Sequence, residues 1–365
     1  MALMRLELDN ILCFDNFEAD FSYPKKLVNS SLDGEYLQNY PSIRYKKVNI
    51  LIGSNASGKT SLGKAIWQIF RFLNNKESNG IRKMVSDTSR DARFLIDCVF
   101  AEGTFLRFEC VLKADGSIVA KLWNEQLLKD DTYNAVVDRL IDKPFDNYLT
   151  VLENLEFGGW NFAFPTIESG FDVIYCKYDD PEEFLKVFKK VLKTFDPSIK
   201  EVFKSEEQED TYIIKLFNNK TIAIKHGEKI SGLNLLSSGT KYAINIAGLM
   251  YSIKKHQNGF YYADEQFSYV NSDIEIACLT TMIEMLGDGE QLFFTTHNTE
   301  LLALSLPNHS FSFLKKENNG NDRFVISLVD AAKYEKRNNV NIKNLYDNDY
   351  FDVAPNTQSV FSIGN

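Results

Sequence analysis

Polar residues interrupt apolar ones at close to every second position in LMRLELDNIL and FEADFS. Between residues 3 and 22 these read as two short strands with a turn near Asp15 and Asn16. Residues 23–45 are polar and read as a loop. KVNILIG (47–53) is an apolar, β-branched run, the pattern of a buried strand. The period then changes: Leu62, Ile66, Ile69, Phe70 and Leu73 recur at helical spacing. From 92 to 128, ARFLIDCVF, TFLRFECVL and SIVAKLWNEQLL are separated by EG and DG turns and predict an antiparallel meander. Residues 129–180 have no clear period and read as irregular helices.

PEEFLKVFKKVLKTF (181–195) predicts a helix with Pro181 at its start. Lys186, Lys189, Lys190 and Lys193 share one face; Phe184, Val187, Phe188, Val191 and Phe195 share the other. The lysine face reads as the solvated side of a core helix, or as a basic edge for DNA or an acidic partner. The acidic run SEEQED (205–210) lies close by and can neutralise it. YIIKLF and TIAIKH predict a hairpin around Asn218 and Asn219. The polar stretch NLLSSGTK (234–241) then leads into a helical run, KYAINIAGLMYSI. GFYYADEQ, QLFFTTHN, HSFSFLKK and DRFVISLVD read as four more strands. No internal repeat is present.

Composition narrows the class. The chain has 365 residues, 44% hydrophobic and 25% charged, which is ordinary globular usage. No apolar run reaches the length of a membrane span. The first ten residues carry Arg5, Glu7 and Asp9 and no apolar core, unlike a secretory signal. Cys13, Cys98, Cys110, Cys176 and Cys278 form no CxxC and the four histidines are scattered, so a reduced, cytoplasmic protein without structural zinc is expected. A net charge of -9 argues against a broad nucleic-acid-coating surface.

GSNASGKT (53–60) fits GxxxxGK[ST] at each fixed position: Gly53, Gly58, Lys59 and Thr60. Such a turn, here Gly53, Ser54, Asn55, Ala56, Ser57, Gly58 and on to Ser61, converges backbone N–H groups on phosphates at a helix N-terminus. Lys59 would neutralise the β- and γ-phosphates of ATP, and the Thr60 hydroxyl would ligate Mg²⁺. The strand FYYADE ends in two carboxylates. Asp264 would hold Mg²⁺ through water and Glu265 would polarise the attacking water. His297 follows another apolar strand. A lone strand-end histidine is ordinarily structural, but beside the other motifs in a parallel sheet it falls at the same carboxyl edge, where it can sense the γ-phosphate.

The order P-loop, LSSGTK, apolar-DE, apolar-TTH resembles the ABC-type ATPases of the SMC, RecF and OLD (overcoming lysogenization defect) group. The resemblance implies an α/β fold: an ABC-type P-loop ATPase with a mixed sheet, an antiparallel β subdomain and a helical lid. It places one lobe in residues 1–128, the lid insertion in 129–210 and the rest of the lobe in 211–365. It implies that Ser237, Ser238, Gly239 and Thr240 contact the γ-phosphate held by another copy's P-loop, so that the chain self-associates around ATP. NSD (271–273) sits where the family carries its interface-crossing D-loop, and is equally a helix N-cap before Ile274.

The single chain without coiled coil, the meander and the run NVNIKNLYDNDYFDVAP (339–355) look like the small ABC-type ATPases of bacterial phage-defence systems. That implies a sensor or scaffold subunit controlling a separate nuclease or toxin effector, with no membrane partner. The alternative is a RecF-like DNA-binding ATPase in repair, touching DNA through the lid. A small-molecule P-loop kinase is a further rival, but it has no use for the LSSGTK turn. The chain departs from the family in carrying SSGT for SGGQ. It also lacks a glutamine where the lid should couple to Mg²⁺: only Gln126 lies between residues 69 and 207, and Gln266 follows the acidic pair. The acids of DNDYFD (347–352) have too little chain around them for a nuclease domain.

Overall fold

The computed structural model describes residues 1–23, 30–141, 143–144, 148–155, 157–165, 178–228, 230, 232–318, 324–337, 340–354 and 363. In chain order the strands and helices are β1 (Ala2–Asp9), β2 (Phe17–Asp20), β3 (Tyr36–Leu37), β4 (Tyr40–Arg44), β5 (Val48–Ile52), α1 (Lys59–Asn75), α2 (Asn79–Arg82), β6 (Ala92–Val99), β7 (Thr104–Leu112), β8 (Ile118–Gln126), α3 (Tyr133–Leu140) and α4 (Tyr148–Asn154). They continue with β9 (Trp160–Ala163), α5 (Pro181–Phe195), β10 (Ile199–Lys204), β11 (Thr211–Leu216), β12 (Thr221–Lys225), α6 (Ser238–Lys254), β13 (Phe260–Asp264), α7 (Ser272–Met285), β14 (Gln291–Thr296), β15 (Phe311–Asn318), β16 (Phe324–Asp330), α8 (Ala331–Tyr334) and α9 (Ile342–Asp347). The chain divides into two compact units, Met1–Gly159 with Gly287–Asn365, and Trp160–Leu286.

Besides the short β3–β4 pair, the described residues of the first unit contribute to two larger sheets. One is antiparallel throughout, in the order β2-β1-β6-β7-β8, and contains the expected meander. In the other, β5 runs parallel to β14 and to β15, and β16 closes antiparallel on β15. Every residue of β5 and β14 is buried, as parallel strands covered on both faces require. Helix α1 buries Leu62, Ile66, Ile69, Phe70 and Leu73, the stripe its period announces. Phe72 meets Phe94 and Phe108 edge-on and joins α1 to the meander. The fully buried Gln291 fastens the start of β14. Its Nε2 donates to the Leu3 and Lys46 carbonyls and its Oε1 accepts from the Leu3 N–H, so three strand ends share one carboxamide.

Residues 23–45 are more than a loop. Strands β3 and β4 pair as a small hairpin, and Leu37, Ile43 and Tyr45 enter a core with Trp123, Tyr133 and Val136. Those apolar residues stand singly among polar ones, so no period betrays them. Residues 24–29 lie outside the described residues.

In the second unit β9 pairs in parallel with β13, Trp160 opposite Phe260 and Ala163 opposite Ala263. The sequence reads 129–180 as irregular helices; α3 and α4 are there, but this four-residue strand is too short to show a period. Helix α5 buries Phe184, Leu185, Phe188, Val191 and Leu192, while Val187 and Phe195 sit half-buried at the rim. Asp180 caps its start by accepting from Glu183 N–H at 3.1 Å. Of the lysine face, Lys186 is bound to Glu183 at 3.0 Å, and Glu183 also pairs with Lys254. Hydrogen bonds from these two ammonium groups draw the Glu183 carboxyl down to about 2. Strands β10, β11 and β12 form an antiparallel sheet, with Asn219 at positive φ in the β11–β12 turn. Tyr178, Phe184, Tyr212 and Tyr251 form one aromatic cluster linking α5, β11 and α6. No described helix is long and apolar enough to cross a membrane.

Candidate functional site

The register of β5 against β14 sets Thr296 opposite Ile52, so the residues that follow the two strands, Gly53 and His297, emerge together. His297 Nδ1 lies 3.1 Å from the Gly53 carbonyl and 3.3 Å from Lys59 Nζ. A single ring nitrogen either donates to that carbonyl or accepts from the ammonium, so the two contacts are alternatives set by the tautomer. Lys59 is buried, and its Nζ also donates to the carbonyls of Gly53 (2.7 Å) and Ser54 (3.1 Å). The loop thus gathers a lysine charge and a histidine at one glycine carbonyl.

The glycines are demanded by shape. A Cβ on Gly53 would sit 2.4 Å from Ser57 Oγ and 3.0 Å from the Leu314 carbonyl. Gly58 has φ 104, and a Cβ there would meet Ile326 at 2.9 Å. No side chain caps α1, which starts at Lys59, so its first N–H groups open onto the loop formed by the exposed Ser54, Asn55 and Ala56. The Ser57 hydroxyl is buried beneath the loop without a hydrogen-bond partner among the described residues. Thr60 and Ser61 are half-buried in the first helical turn.

Ala56 carries φ 60, a conformation costing an L-residue about 1–2 kcal/mol. Ala56→Gly is therefore expected to stabilise the protein by up to about 1 kcal/mol, after the greater unfolded-state freedom of glycine is deducted. The check is the urea midpoint at unchanged slope.

In the second unit β13 ends at Asp264, fully buried, and the half-buried Glu265 turns the chain at φ 44. A non-glycine residue in that region is the kind of local strain that clusters at functional positions. Gln266, 1% exposed, donates from Nε2 to the carbonyls of Ala163 (3.1 Å) and Asp264 (2.9 Å). It thereby ties the end of β9 to the end of β13. The sequence marks Gln266 only as the residue after the acidic pair; its reach to Ala163 is set by the pairing of β9 with β13.

The LSSGTK turn is a helix start. Ser237 caps α6, its Oγ accepting from the Thr240 N–H at 3.1 Å. Thr240 Oγ1 donates to Asp196 Oδ2 at 2.9 Å and lies 2.7 Å from Ser237 Oγ. The Thr240 hydroxyl hydrogen is committed to Asp196, so the Ser237 hydroxyl hydrogen runs to Thr240. The donors left for the turn to present are the exposed Ser238 hydroxyl and the N–H groups of Ser238 and Gly239. Burial pushes the Asp196 carboxyl up, but hydrogen bonds from Ser198 and Thr240 outweigh it and hold it below its ordinary range. In the NSD stretch Asn271 caps α7, accepting from the Asp273 N–H at 2.7 Å.

A cavity of about 290 Å³ in the first unit is lined by Cys13, Asp15, Asp87, Arg90, Lys316 and Phe324, among others. It adjoins the P-loop, because the Cβ position of Gly58 is 3.5 Å from Cys13 Sγ. Arg90 pairs with Asp9 and Asp15, and the Lys316 ammonium lies 4.9 Å from the Phe324 ring centre. Nothing in the sequence marks this cavity; its residues come from four separate segments.

No family model matches the sequence, and no curated protein matches it. Among solved structures, the chain is similar to the crystal structure of an SMC head bound to the C-winged-helix domain of ScpA. Identity is 13% and the TM-score 0.53, over 92% of this chain and all of that one. It is also similar to the SMC head domain from Thermotoga maritima, at 16% identity and TM-score 0.44 over 90% of this chain and 99% of that one. The recombination mediator protein RecF matches at 11% identity and TM-score 0.42, over 90% and 98%. The fold is that of the ABC-type ATPases, with mixed and antiparallel sheets.

Proposed function

We propose that this chain binds and hydrolyses ATP and associates with a second copy around it. One observation carries the reading: in an ABC-type fold, Lys59 and His297 converge on the carbonyl of Gly53, in a loop with no room for a side chain at that glycine. The uncapped start of α1 and the charge of Lys59 fit a polyphosphate. When bound, MgATP supplies the electrophilic phosphorus and a cation that neutralises its charge. Gly53 to Ser61 cradle the phosphates, with Thr60 offering its hydroxyl to the cation and His297 reporting on the γ-phosphate. The cavity beside Gly58 takes the base. In the second unit Asp264 would offer a carboxylate to a divalent cation and Glu265 would take a proton from an attacking water. Ser238 and Gly239 donate to a phosphate held by the second copy, while Ser237 and Thr240 hold that turn in shape.

The finer part of the reading is a sensor or scaffold role in a bacterial anti-phage complex, with a separate nuclease or toxin as effector. It is supported by the resemblance of the compact chain, the meander and the 339–355 run to ATPases of such systems.

The test is the ATP hydrolysis rate per subunit against protein concentration, for the native chain and for Ser238→Arg. The native rate should rise with concentration and the variant's should fall at least about tenfold, the loss of a charge-assisted contact made across the pair. A variant as active as the native chain would reduce LSSGTK to a helix cap. Hydrolysis requiring DNA, with a steep salt dependence, would favour the repair ATPase instead.

A further inference from the structure

Helix α5 ends in Phe195 and Asp196, and both touch turns that carry the candidate chemistry of the second unit. Asp196 Oδ1 accepts from Ser198 N–H (2.9 Å) and Ser198 Oγ (2.6 Å), which fixes the carboxylate. Its Oδ2 accepts from Thr240 Oγ1 at 2.9 Å. A carboxylate has no proton to give, so the Thr240 hydroxyl must point at it. The 2.7 Å contact between Ser237 and Thr240 then runs in one direction, from Ser237 to Thr240, and leaves Ser237 Oγ as the acceptor for the Thr240 N–H. Thr240 is fully buried, so water cannot substitute for Asp196 without a change in packing. Phe195 meets Phe267 at 6.1 Å, in the turn that follows Asp264 and Glu265. Gly239 lies against that turn's end, its Cβ position 3.1 Å from the Tyr269 carbonyl.

We propose that Asp196 is a positioning residue for the LSSGTK turn: it orients the Thr240 and Ser237 hydroxyls so that Ser238 and the first N–H groups of α6 face a phosphate held by a second copy. The proposal rests on the reading that two copies associate around ATP. It adds a physical link between the lid helix and both turns, since α5 holds the signature turn through Asp196 and rests on the acidic turn through Phe195. Without the carboxylate, the Thr240 hydroxyl is free to turn toward Ser237 Oγ and compete with the N-cap bond.

The experiment uses the full chain in a Glu265→Gln background, which removes turnover. Sedimentation measures ATP-driven association; a fluorescent ATP analogue at dilute protein measures binding to the P-loop. Asp196→Ala should weaken association by about tenfold, the value of one charge-assisted hydrogen bond, and leave analogue affinity within about twofold. Asp196→Asn has a single acceptor oxygen, for which the N–H and hydroxyl of Ser198 compete with Thr240, so association should lie between that of the Ala variant and the background. Association of Asp196→Ala equal to the background would overturn the proposal, as would an equal loss of analogue binding, the mark of general damage to the fold. If the background itself does not associate with ATP, the two-copy reading falls and takes this proposal with it.

Discussion

Glu265→Gln is expected to keep the chain folded and able to bind ATP while turnover falls by roughly 10²–10⁴, the contribution of a positioned general base. Glutamine has the same shape and accepts a hydrogen bond from the attacking water, but it cannot take its proton. The exchange adds no backbone strain, because Glu265 already sits at φ 44 and the new residue inherits that conformation. Asp264 is the instructive contrast. It is fully buried at the end of β13, and its proposed role is in holding the cation. Asp264→Asn should therefore raise the Mg²⁺ needed for nucleotide binding, whereas Glu265→Gln should not. The decisive measurement is a single-turnover assay with labelled ATP, followed by sedimentation of the trapped complex. Slow cleavage with ATP retained and a larger assembly is the expected result. Cleavage at the native rate would remove Glu265 from the reaction, and trapped ATP without a change in assembly would remove the two-copy model.

What the sequence discloses is what lies within one short segment. β5, β13 and β14 are continuous apolar runs, and their buried strands follow directly. The P-loop is legible because glycines at fixed spacing answer local steric demands, seen in the clash a Cβ at Gly53 would make. The hairpin β3–β4 and the strand β9 are not legible, because each is shorter than the period needed to reveal it and is held by partners far away in the chain. The same holds for the supporting residues. Gln266 is conspicuous only because it follows two acids, and its function as a staple needs Ala163, 103 positions distant. Asp196 looks like any helix C-cap until Thr240 arrives beside it. One detail is beyond the motif: the Ser237 hydroxyl lies 2.7 Å from Thr240 Oγ1, whose own hydrogen goes to Asp196. Local chemistry is written in the sequence, whereas the direction of a hydroxyl is written in the packing.

The largest stability effect is expected at Asp97, away from the candidate chemistry. Its side chain on β6 is fully buried and accepts from Arg107 Nε at 2.7 Å and Nη2 at 2.6 Å, a bidentate pair with the neighbouring strand β7. Tyr133 Oη, on α3, donates to the same carboxylate at 2.6 Å. Burial, with the Asp97 charge beside it, pushes the Tyr133 hydroxyl up, so it remains a donor at any working pH. Asp97→Ala removes the centre of this network and leaves a guanidinium that is 12% exposed with no counter-charge from Asp97. Breaking a buried pair from one side costs about 3–5 kcal/mol. Tyr133→Phe removes one hydrogen bond to a charge and should cost about 1.5–3 kcal/mol. The apolar double variant Asp97→Leu with Arg107→Met should recover most of the loss, because it removes both desolvation penalties together. Urea unfolding of the three proteins separates these cases by their midpoints at a common slope. Since Phe94 and Phe108 of the same two strands pack on Phe72 of α1, the loss falls on the sheet that backs the P-loop helix. Nucleotide affinity measured well below the unfolding transition should nonetheless match the native chain. An Asp97→Ala protein less than about 1.5 kcal/mol weaker would mean that Arg107 finds another partner or reaches water, and that the meander is held by its apolar face alone.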